Sequence, residues 1–286
     1  MRTSQTAYSV DVSDSRIREI LDANDQSFEE LDYIPTAECL SYSNGFYVMC
    51  TALFIDIRGS SKLSETHTRP VLAKIYRAYL SECIAILNQD RNCREVFITG
   101  DCVSGIFDTT TKDAINEAFF RAGQLNTLLN LLNWRLEQKG YTPIRCGIGI
   151  DYGRALMLKA GYKGSGINEI IWMGDVVNNA SNLCHQGNKG YRKAIQASAV
   201  IHEIICDDYK QLLSGVGDTV FDALDPKVYE GDLTAVEMSG EVEAKKRDAT
   251  REELISTLLT GLRPPQGATL GGLLASTRVK RGLFDF

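Results

Sequence analysis

Two aspartates, Asp56 and Asp101, each follow residues that are typical of a buried β-strand. Asp56 ends the segment 47–56, whose continuous apolar run predicts a central strand covered on both faces. Asp101 lies in the turn of a hairpin predicted within residues 94–107. If these strands are neighbours, the two carboxylates meet, and their mutual repulsion raises a pKa. Because hard oxygen ligands suit Mg²⁺ or Mn²⁺, the pair predicts a site for two divalent cations.

The residues after the first aspartate are suited to phosphate. Arg58 precedes Gly59, and Ser60 and Ser61 then begin a predicted helical turn. Gly59 permits close backbone approach, free amides can cradle a triphosphate, and Arg58 can add charge-assisted hydrogen bonds. Taken alone, the segment is also compatible with an ordinary strand-to-helix turn and a solvated arginine.

A polar cluster opens the helix predicted over residues 175–186. Asn178, Asn179 and Asn182 fall within five residues. Asparagine is a mediocre helix former, so this density favours a function over a plain surface helix. Capping and solvation are the alternative explanation.

The apolar periodicity indicates an α+β fold in which one mixed sheet carries packed helices. A first helical face includes Ile17 and could extend to Phe28 and Leu31. Further helices are predicted from Pro70, over 111–139 and over 199–213. Further strands are predicted at 144–150, with a turn at 151–153 leading into 155–160, and at 170–172 and 194–198, with a hairpin around 230–232. We predict an N-terminal appendage (1–45), a catalytic domain (46–240) and a C-terminal extension (241–286).

Composition excludes several classes of protein. The net charge of −6 and the pI of about 5.3 argue against a nucleic-acid binder. The eight cysteines are scattered and the three histidines show no ligand spacing with them, so a zinc site is not expected. No apolar run approaches the length of a membrane span, and no signal peptide is visible. We therefore expect a cytoplasmic protein with no membrane partner. The glycine-rich segment 161–166 lacks the spacing of a P-loop and predicts a flexible loop.

Three blocks together resemble the catalytic domain of the class III nucleotidyl cyclases. They are FIDIRGSSKL (54–63), ITGDCVSGIF (98–107), and GIGIDYGRAL (147–156) followed by IWMGDVVNNASNL (171–183). The resemblance covers roughly residues 47–240. It implies a ferredoxin-like core and a head-to-tail homodimer with two active sites at the interface.

The resemblance also implies roles for individual residues. Asp56 and Asp101 match the two metal-binding aspartates, and Ile57 would lend its backbone carbonyl to a metal. Asn178 matches the asparagine that orients the ribose, supplied by the partner subunit. The implied reaction is attack of the ribose 3′-oxygen on the α-phosphorus, with pyrophosphate leaving.

Two departures from the family pattern concern the base. Family members that use purines carry polar residues where this chain has Phe97 and Ile171. Neither side chain can pair with a purine edge, and an unpaired buried polar group costs on the order of 1–3 kcal/mol. The chain therefore most resembles the pyrimidine cyclases of bacterial Pycsar anti-phage systems, in which a cyclic product activates a separate effector protein. We favour UTP over CTP as the substrate.

A third departure concerns the transition state. Asn182 stands where the family has an arginine, and that loss indicates a slow enzyme or an arginine from elsewhere. Arg58 is the favoured replacement; the other candidates are Arg145, Arg154 and Arg192. Two alternatives stay open at this point: a purine cyclase with unforeseen base contacts, and an inactive relative that only binds a nucleotide or a partner.

Overall fold

The structure is a computed structural model that describes residues 7–164, 166–217 and 227–261. The chain divides into two compact units, Met1–Met238 and Ser239–Phe286. Every candidate site residue lies in the first unit.

Strands and helices are interspersed along the chain. The strands are β1 (Phe28–Leu31), β2 (Gly45–Ile57), β3 (Cys93–Thr99), β4 (Cys102–Phe107), β5 (Cys146–Tyr162), β6 (Ile167–Met173), β7 (Ile195–Ser198), β8 (Ser214–Val216) and β9 (Val228–Gly231). The helices are α1 (Val10–Leu21), α2 (Ser60–Thr66), α3 (Arg69–Asn88), α4 (Lys112–Gln138), α5 (Asp175–Gln186), α6 (Ala199–Ile204), α7 (Asp207–Lys210) and α8 (Val236–Gly261).

The described strands form one nine-stranded mixed sheet. Its main order is β3-β4-β2-β5-β7-β9-β8, with β1 paired to β2 and β6 paired to β5. The β1–β2 and β5–β7 pairs are parallel, and the other pairs are antiparallel. The predicted α+β mixed sheet with packed helices is confirmed.

The two faces of the sheet are covered differently. On one face, α3 and α4 pack on β2, β4 and β5 and form the larger core, which includes the fully buried Leu53 and Ile55. Pro70 lies in the first turn of α3, and Thr111 caps α4 by accepting a hydrogen bond from the backbone of Ala114. On the other face, α5 and β6 cover a second, smaller apolar cluster. The candidate site residues lie toward this second face.

Two glycines of β5 let α5 approach the second face. A Cβ atom added to Gly149 would collide with the backbone of Ala180 and Cys184, and one added to Gly147 would collide with the carbonyl oxygen of Cys184. Only a residue without a side chain fits between strand and helix at these positions. The glycines therefore set how closely α5 approaches the end of β2.

The predicted turn at 151–153 is wrong. β5 runs without interruption through these residues, and its register with β2 extends from the Cys146–Ile57 pair to the Leu158–Gly45 pair. A Cβ atom added to Gly153 would lie 3.3 Å from the side chain of Val176. The glycine that suggested a turn is instead a place where α5 packs on the strand.

Three other local predictions also need correction. The helix predicted over 199–213 is two short helices, because Ile205 and Cys206 adopt extended conformations between them. The hairpin predicted around 230–232 is the end of β9, where the Asp232 carboxylate accepts a hydrogen bond from the Ala194 amide at 2.8 Å. Phe28 and Leu31 lie on β1 rather than on the first helical face.

The C-terminal part of the chain is helical where it is described. Residues 241–253, the charged stretch, lie in α8. The final segment, residues 278–286, lies outside the described residues. None of the helices in the described ranges is long and apolar enough to cross a membrane.

Candidate active site

The two aspartates meet at one end of the sheet, as the sequence predicted. β2 and β4 are antiparallel neighbours, and the Ile55–Val103 pair places Asp56 beside the turn that carries Asp101. Burial is the largest cause of the raised pKa of Asp56, and the negative charge of Asp101 raises this pKa further. Two carboxylates that repel each other in a partly buried position favour the binding of a positively charged group.

Arg58 holds Asp56 in position. Its Nη2 atom donates to Asp56 Oδ2 at 3.1 Å and to the Cys184 carbonyl at 3.1 Å, and its Nη1 atom donates to the His185 carbonyl at 3.1 Å. The arginine side chain is 9% exposed. The guanidinium therefore joins Asp56 to the last carbonyls of α5, where a positive charge also complements the helix dipole.

The residues at this end of the sheet fit a divalent cation. Asp101 Oδ2 is completely buried and has no hydrogen-bond partner among the described residues, so a carboxylate oxygen there lacks the partner that it needs. Ile57 follows Asp56 as the last residue of β2. No cluster of three or more acidic, histidine or cysteine side chains suited to a metal occurs in the described chain. The two aspartates would therefore need ligands from the backbone, water or substrate phosphates, which is usual for Mg²⁺.

Basic side chains beside the aspartates come from the end of α5 and from the turn that follows it. Arg58, and after it His185 and Lys189, lower the pKa of Asp56, which opposes the effects of burial and of Asp101. Lys189 is exposed and lies in a turn that begins at Gly187, and Gly187 packs against Gly147. Because Gly147 pairs with Asp56, this turn lies against the end of β2. Lys189 was not predicted from the sequence as a charge near the site, since only the packing of α5 brings it there.

The predicted phosphate loop follows β2 directly. Gly59 has a φ of 66°, in the left-handed region that favours glycine, and α2 begins at Ser60. The Arg58 amide donates to the Arg145 carbonyl at 2.7 Å, and the Lys62 amide donates to the Gly59 carbonyl at 2.9 Å. Ser60 and Ser61 thus lie in the first turn of α2, directly after the turn that follows Asp56 and Ile57.

A pocket of about 290 Å³ opens between the second face of the sheet and the β6–α5 segment. Phe97 and Ile171, the two predicted base-pocket residues, both line it. Most of the wall is apolar. The complete lining is Phe54, Phe97, Thr99, Ser104, Ile106, Glu169, Ile170, Ile171, Trp172 and Val177.

Phe97 and Ile171 contribute differently to this pocket. Phe97 belongs to the apolar cluster of the second face, together with Trp172 and Ile170. Ile171 lies between those two residues on β6 and pairs with Leu158 of β5. Successive side chains of a strand point to opposite faces. The apolar wall opposite Phe97 is therefore formed by Ile170 and Trp172, the neighbours of Ile171 on β6.

The pocket also contains polar groups that the sequence analysis did not single out. Ser104 lies deep in it, and Thr99 and Glu169 are exposed at its edge. The indole N–H of Trp172 donates to Glu95 Oε2 at 2.8 Å. Alternation along β3 and β4 would have placed the side chains of Ser104 and Thr99 on the face of Phe97. Only the strand register shows that all three share a pocket.

The asparagines of α5 are exposed. Asn178 and Asn182 lie one turn apart on the helix, and the apolar residues between and beside them face the sheet. Their side chains are therefore accessible to a ligand or a second chain. The other candidate arginines are spread over the unit: Arg154 pairs with Glu30 at 2.7 Å, Arg145 is exposed next to β5, and Arg192 lines a separate pocket.

Comparisons with known proteins identify relatives of the chain. It is 42% identical over 198 residues to a uridylate cyclase from Gulbenkiania mobilis, which covers 67% of this chain and 76% of that protein. It is 39% identical over 199 residues to a uridylate cyclase from Treponema porcinum, covering 70% of this chain and 69% of the relative. No protein-family model matches the sequence.

Solved structures support the fold. A class III adenylyl cyclase-like ATP-binding protein from Pseudomonas aeruginosa aligns over 82% of this chain and 50% of its own, with a TM-score of 0.59 and 19% identity. The adenylyl cyclase CyaB from P. aeruginosa aligns over 65% of this chain and 95% of its own, with a TM-score of 0.53 and 20% identity. The class III cyclase fold, the aspartate pair and the extent of the sequence similarity agree, and the chain belongs to the family of nucleotide cyclases that includes these uridylate cyclases.

Proposed function

We propose that the protein converts UTP into 3′,5′-cyclic UMP and pyrophosphate. The observation that carries this proposal is the pocket walled by Phe54, Phe97 and Trp172, which lies on the same sheet face as Asp56. Phe54 and Asp56 are two residues apart on β2, roughly 6–7 Å along the strand. An apolar pocket with few polar groups suits a small base better than a purine. The names of the relatives at 42% and 39% identity support uracil.

The proposed reaction is an internal displacement at phosphorus. The ribose 3′-hydroxyl loses its proton, its oxygen bonds to the α-phosphorus, and the bond from that phosphorus to the oxygen of the β-phosphate breaks. Divalent cations, when bound, would stabilise the attacking oxygen and the charge that develops on pyrophosphate. Asp56 and Asp101, with the Ile57 carbonyl, are the residues that would hold Mn²⁺ or Mg²⁺.

The remaining predicted residues would orient the substrate. Asn178 would hold the ribose, and Gly59, Ser60 and Ser61 would receive the phosphates. Arg58 was the favoured transition-state arginine, but its guanidinium is engaged by Asp56 and by α5 carbonyls, which supports a positioning role instead. Asn182, at the family's arginine position, can donate only neutral hydrogen bonds, which are weaker than charge-assisted ones.

We propose further that the active protein is a homodimer whose sites lie at the interface. Asn178 is exposed on α5 and would act on a nucleotide bound by the partner subunit. The cyclic product would then act on a separate effector protein in antiviral defence, as the resemblance to Pycsar cyclases implies. That role predicts that bacteria carrying the chain with its neighbouring genes resist phage, and that a variant without the aspartates does not.

The experiment that tests the activity is product analysis by mass spectrometry. The purified protein is incubated with each of the four nucleoside triphosphates in Mn²⁺, beside an Asp56→Ala/Asp101→Ala double variant. We expect cyclic UMP from the wild-type protein and none from the variant. Cyclic AMP or cyclic GMP as the main product would contradict the assignment of the pocket, and no cyclic product from any nucleotide would indicate an inactive relative.

A further inference from the structure

Ser104 occupies the centre of a row of side chains that crosses three strands. On β4 it pairs with Phe54 of β2 on one side and with Phe97 of β3 on the other. Residues that pair directly across neighbouring strands point to the same face. All three line the pocket. A small hydroxyl therefore stands between two aromatic rings on the floor of the pocket.

The Ser104 hydroxyl is a buried polar group with no hydrogen-bond partner among the residues that the structure describes. The residue is 7% exposed, and its side chain makes no hydrogen bond to any described residue. The Ser104 oxygen is nevertheless not completely enclosed by the described protein atoms. The accessible remainder of Ser104 therefore opens into the pocket. Because a hydroxyl in apolar surroundings is stabilised by a hydrogen bond, this position favours a ligand with a polar edge.

The other polar groups of the pocket do not compete for this place. Thr99 and Glu169 are exposed at the edge, and the Trp172 indole N–H is already bonded to Glu95 at 2.8 Å. The walls beside and opposite Ser104 are aromatic or aliphatic. Among the described lining residues, Ser104 is thus the one polar side chain that is buried and available.

We propose that the Ser104 hydroxyl recognises the nucleotide base by hydrogen bonding to its polar edge. The flat ring would lie among Phe54, Phe97 and Trp172, with a ring carbonyl or ring N–H directed at the serine. This assignment rests on the proposed function and extends it by naming the residue that anchors the base. A hydroxyl both donates and accepts, so Ser104 anchors a pyrimidine without choosing between uracil and cytosine.

The test separates base recognition from phosphate binding. The Ser104→Ala variant removes one oxygen atom and leaves the packing otherwise intact. Binding is measured by calorimetry in Mn²⁺ with 3′-deoxy-UTP, which lacks the attacking hydroxyl, and with inorganic triphosphate, which lacks the base. We expect the variant to bind 3′-deoxy-UTP about tenfold more weakly, since a hydrogen bond lost to a buried group is worth roughly a factor of ten. Binding of triphosphate should not change.

Two matched variants complete the design. Thr99→Ala removes a hydroxyl at the exposed edge of the same pocket. It should weaken the binding of 3′-deoxy-UTP less than Ser104→Ala does. Ser104→Thr keeps the hydroxyl and should retain more affinity than Ser104→Ala. Thermal unfolding of each variant shows whether it is folded, and the Thr variant keeps the proposal testable if the Ala variant is not.

The outcomes are distinguishable. Equal affinity of wild type and Ser104→Ala for 3′-deoxy-UTP would overturn the role of the serine, as would an equal loss for triphosphate. If wild-type protein produces cyclic UMP in either case, the proposed function stands without Ser104. If wild type neither binds nor cyclises a pyrimidine nucleotide, the proposed function fails, and this inference fails with it.

Discussion

The two faces of strand β2 serve opposite purposes although their residues alternate in one sequence. Leu53, Ile55 and Ile57 point into the core under α3 and α4 and are almost completely buried. Phe54 and Asp56 point to the other face, where they are partly exposed to the pocket and the aspartate pair. The first face is filled by apolar side chains, whereas the second keeps space and unpaired polar atoms.

This difference shows how a cyclase site can be built without weakening its scaffold. Charged and unpaired groups such as Asp101 Oδ2 cost stability when no ligand is bound. The compact core on the opposite face of the same strands can offset that cost, because the free energy of unfolding is a small sum over the whole unit. Substitutions on the two faces should therefore separate stability from activity.

Asp101→Asn should produce the largest effect. Cyclisation should fall to the level of the assay background, because the variant loses one of the two carboxylates proposed to hold the cations. Mn²⁺ should raise the melting temperature of the wild-type protein but not of the variant, since a cation that binds only the folded state stabilises it. Retained activity, or an equal shift by Mn²⁺ in both proteins, would place the cation elsewhere.

Leu53→Ala and Phe54→Ala form a matched pair on opposite faces. Leu53→Ala should lower the free energy of unfolding by about 2–5 kcal/mol, because it opens a cavity in a fully buried core. Phe54→Ala should cost less stability and should raise the KM for UTP, because it removes a wall of the pocket. Urea unfolding and initial rates measure both quantities. Equal losses of stability would contradict the division between the faces.

Mixing two inactive variants tests whether a site is shared between chains. Asp101→Asn and Asn178→Ala each remove a residue that, in the proposed dimer, serves a different half of one site. If chains exchange freely, half of the dimers are mixed and have one intact site, so activity should return to about a quarter of wild type. Activity no greater than the sum of the separate variants would place both residues in a site within one chain.

Glu95→Gln should have the smallest effect, which is a change in the free energy of unfolding that depends on pH. Burial raises the pKa of Glu95, and the charge of Glu169 adds to this, while the hydrogen bond from Trp172 opposes it. Because the folded pKa lies above the unfolded one, wild type loses stability as the pH rises through that window, and glutamine does not titrate. The free energy of unfolding of the variant relative to wild type should therefore increase between pH 4 and 7.

Solvent screening keeps this change small, since Glu95 is only partly buried. Urea unfolding at both pH values, followed by tryptophan fluorescence, measures it. Glu137→Gln, at an exposed position near the end of α4, provides the control and should show no comparable trend. A relative stability that stayed constant or fell with pH would contradict the assigned shift.

The fold class and the candidate site aspartates could be predicted from the amino-acid sequence. Apolar runs predicted β2, the β3–β4 hairpin and the long helices, because periodicity is a local property that survives without tertiary context. The aspartates follow buried strands in the same local sense, and the order of the blocks indicated a cyclase. The continuity of β5 was missed, because a glycine that lets a helix approach looks the same in sequence as one that makes a turn.

Which side chains lie close together could be learned only from the packing of the strands and helices. Arg58 reaches the carbonyls of Cys184 and His185, which are distant in sequence, so its engagement could not be inferred from its position after Asp56. Ser104 became a candidate because the register sets it between Phe54 and Phe97, and a shift of one residue would have turned it to the core. The types and order of residues are local information, whereas the contacts between strands and helices depend on register and packing across the whole sheet.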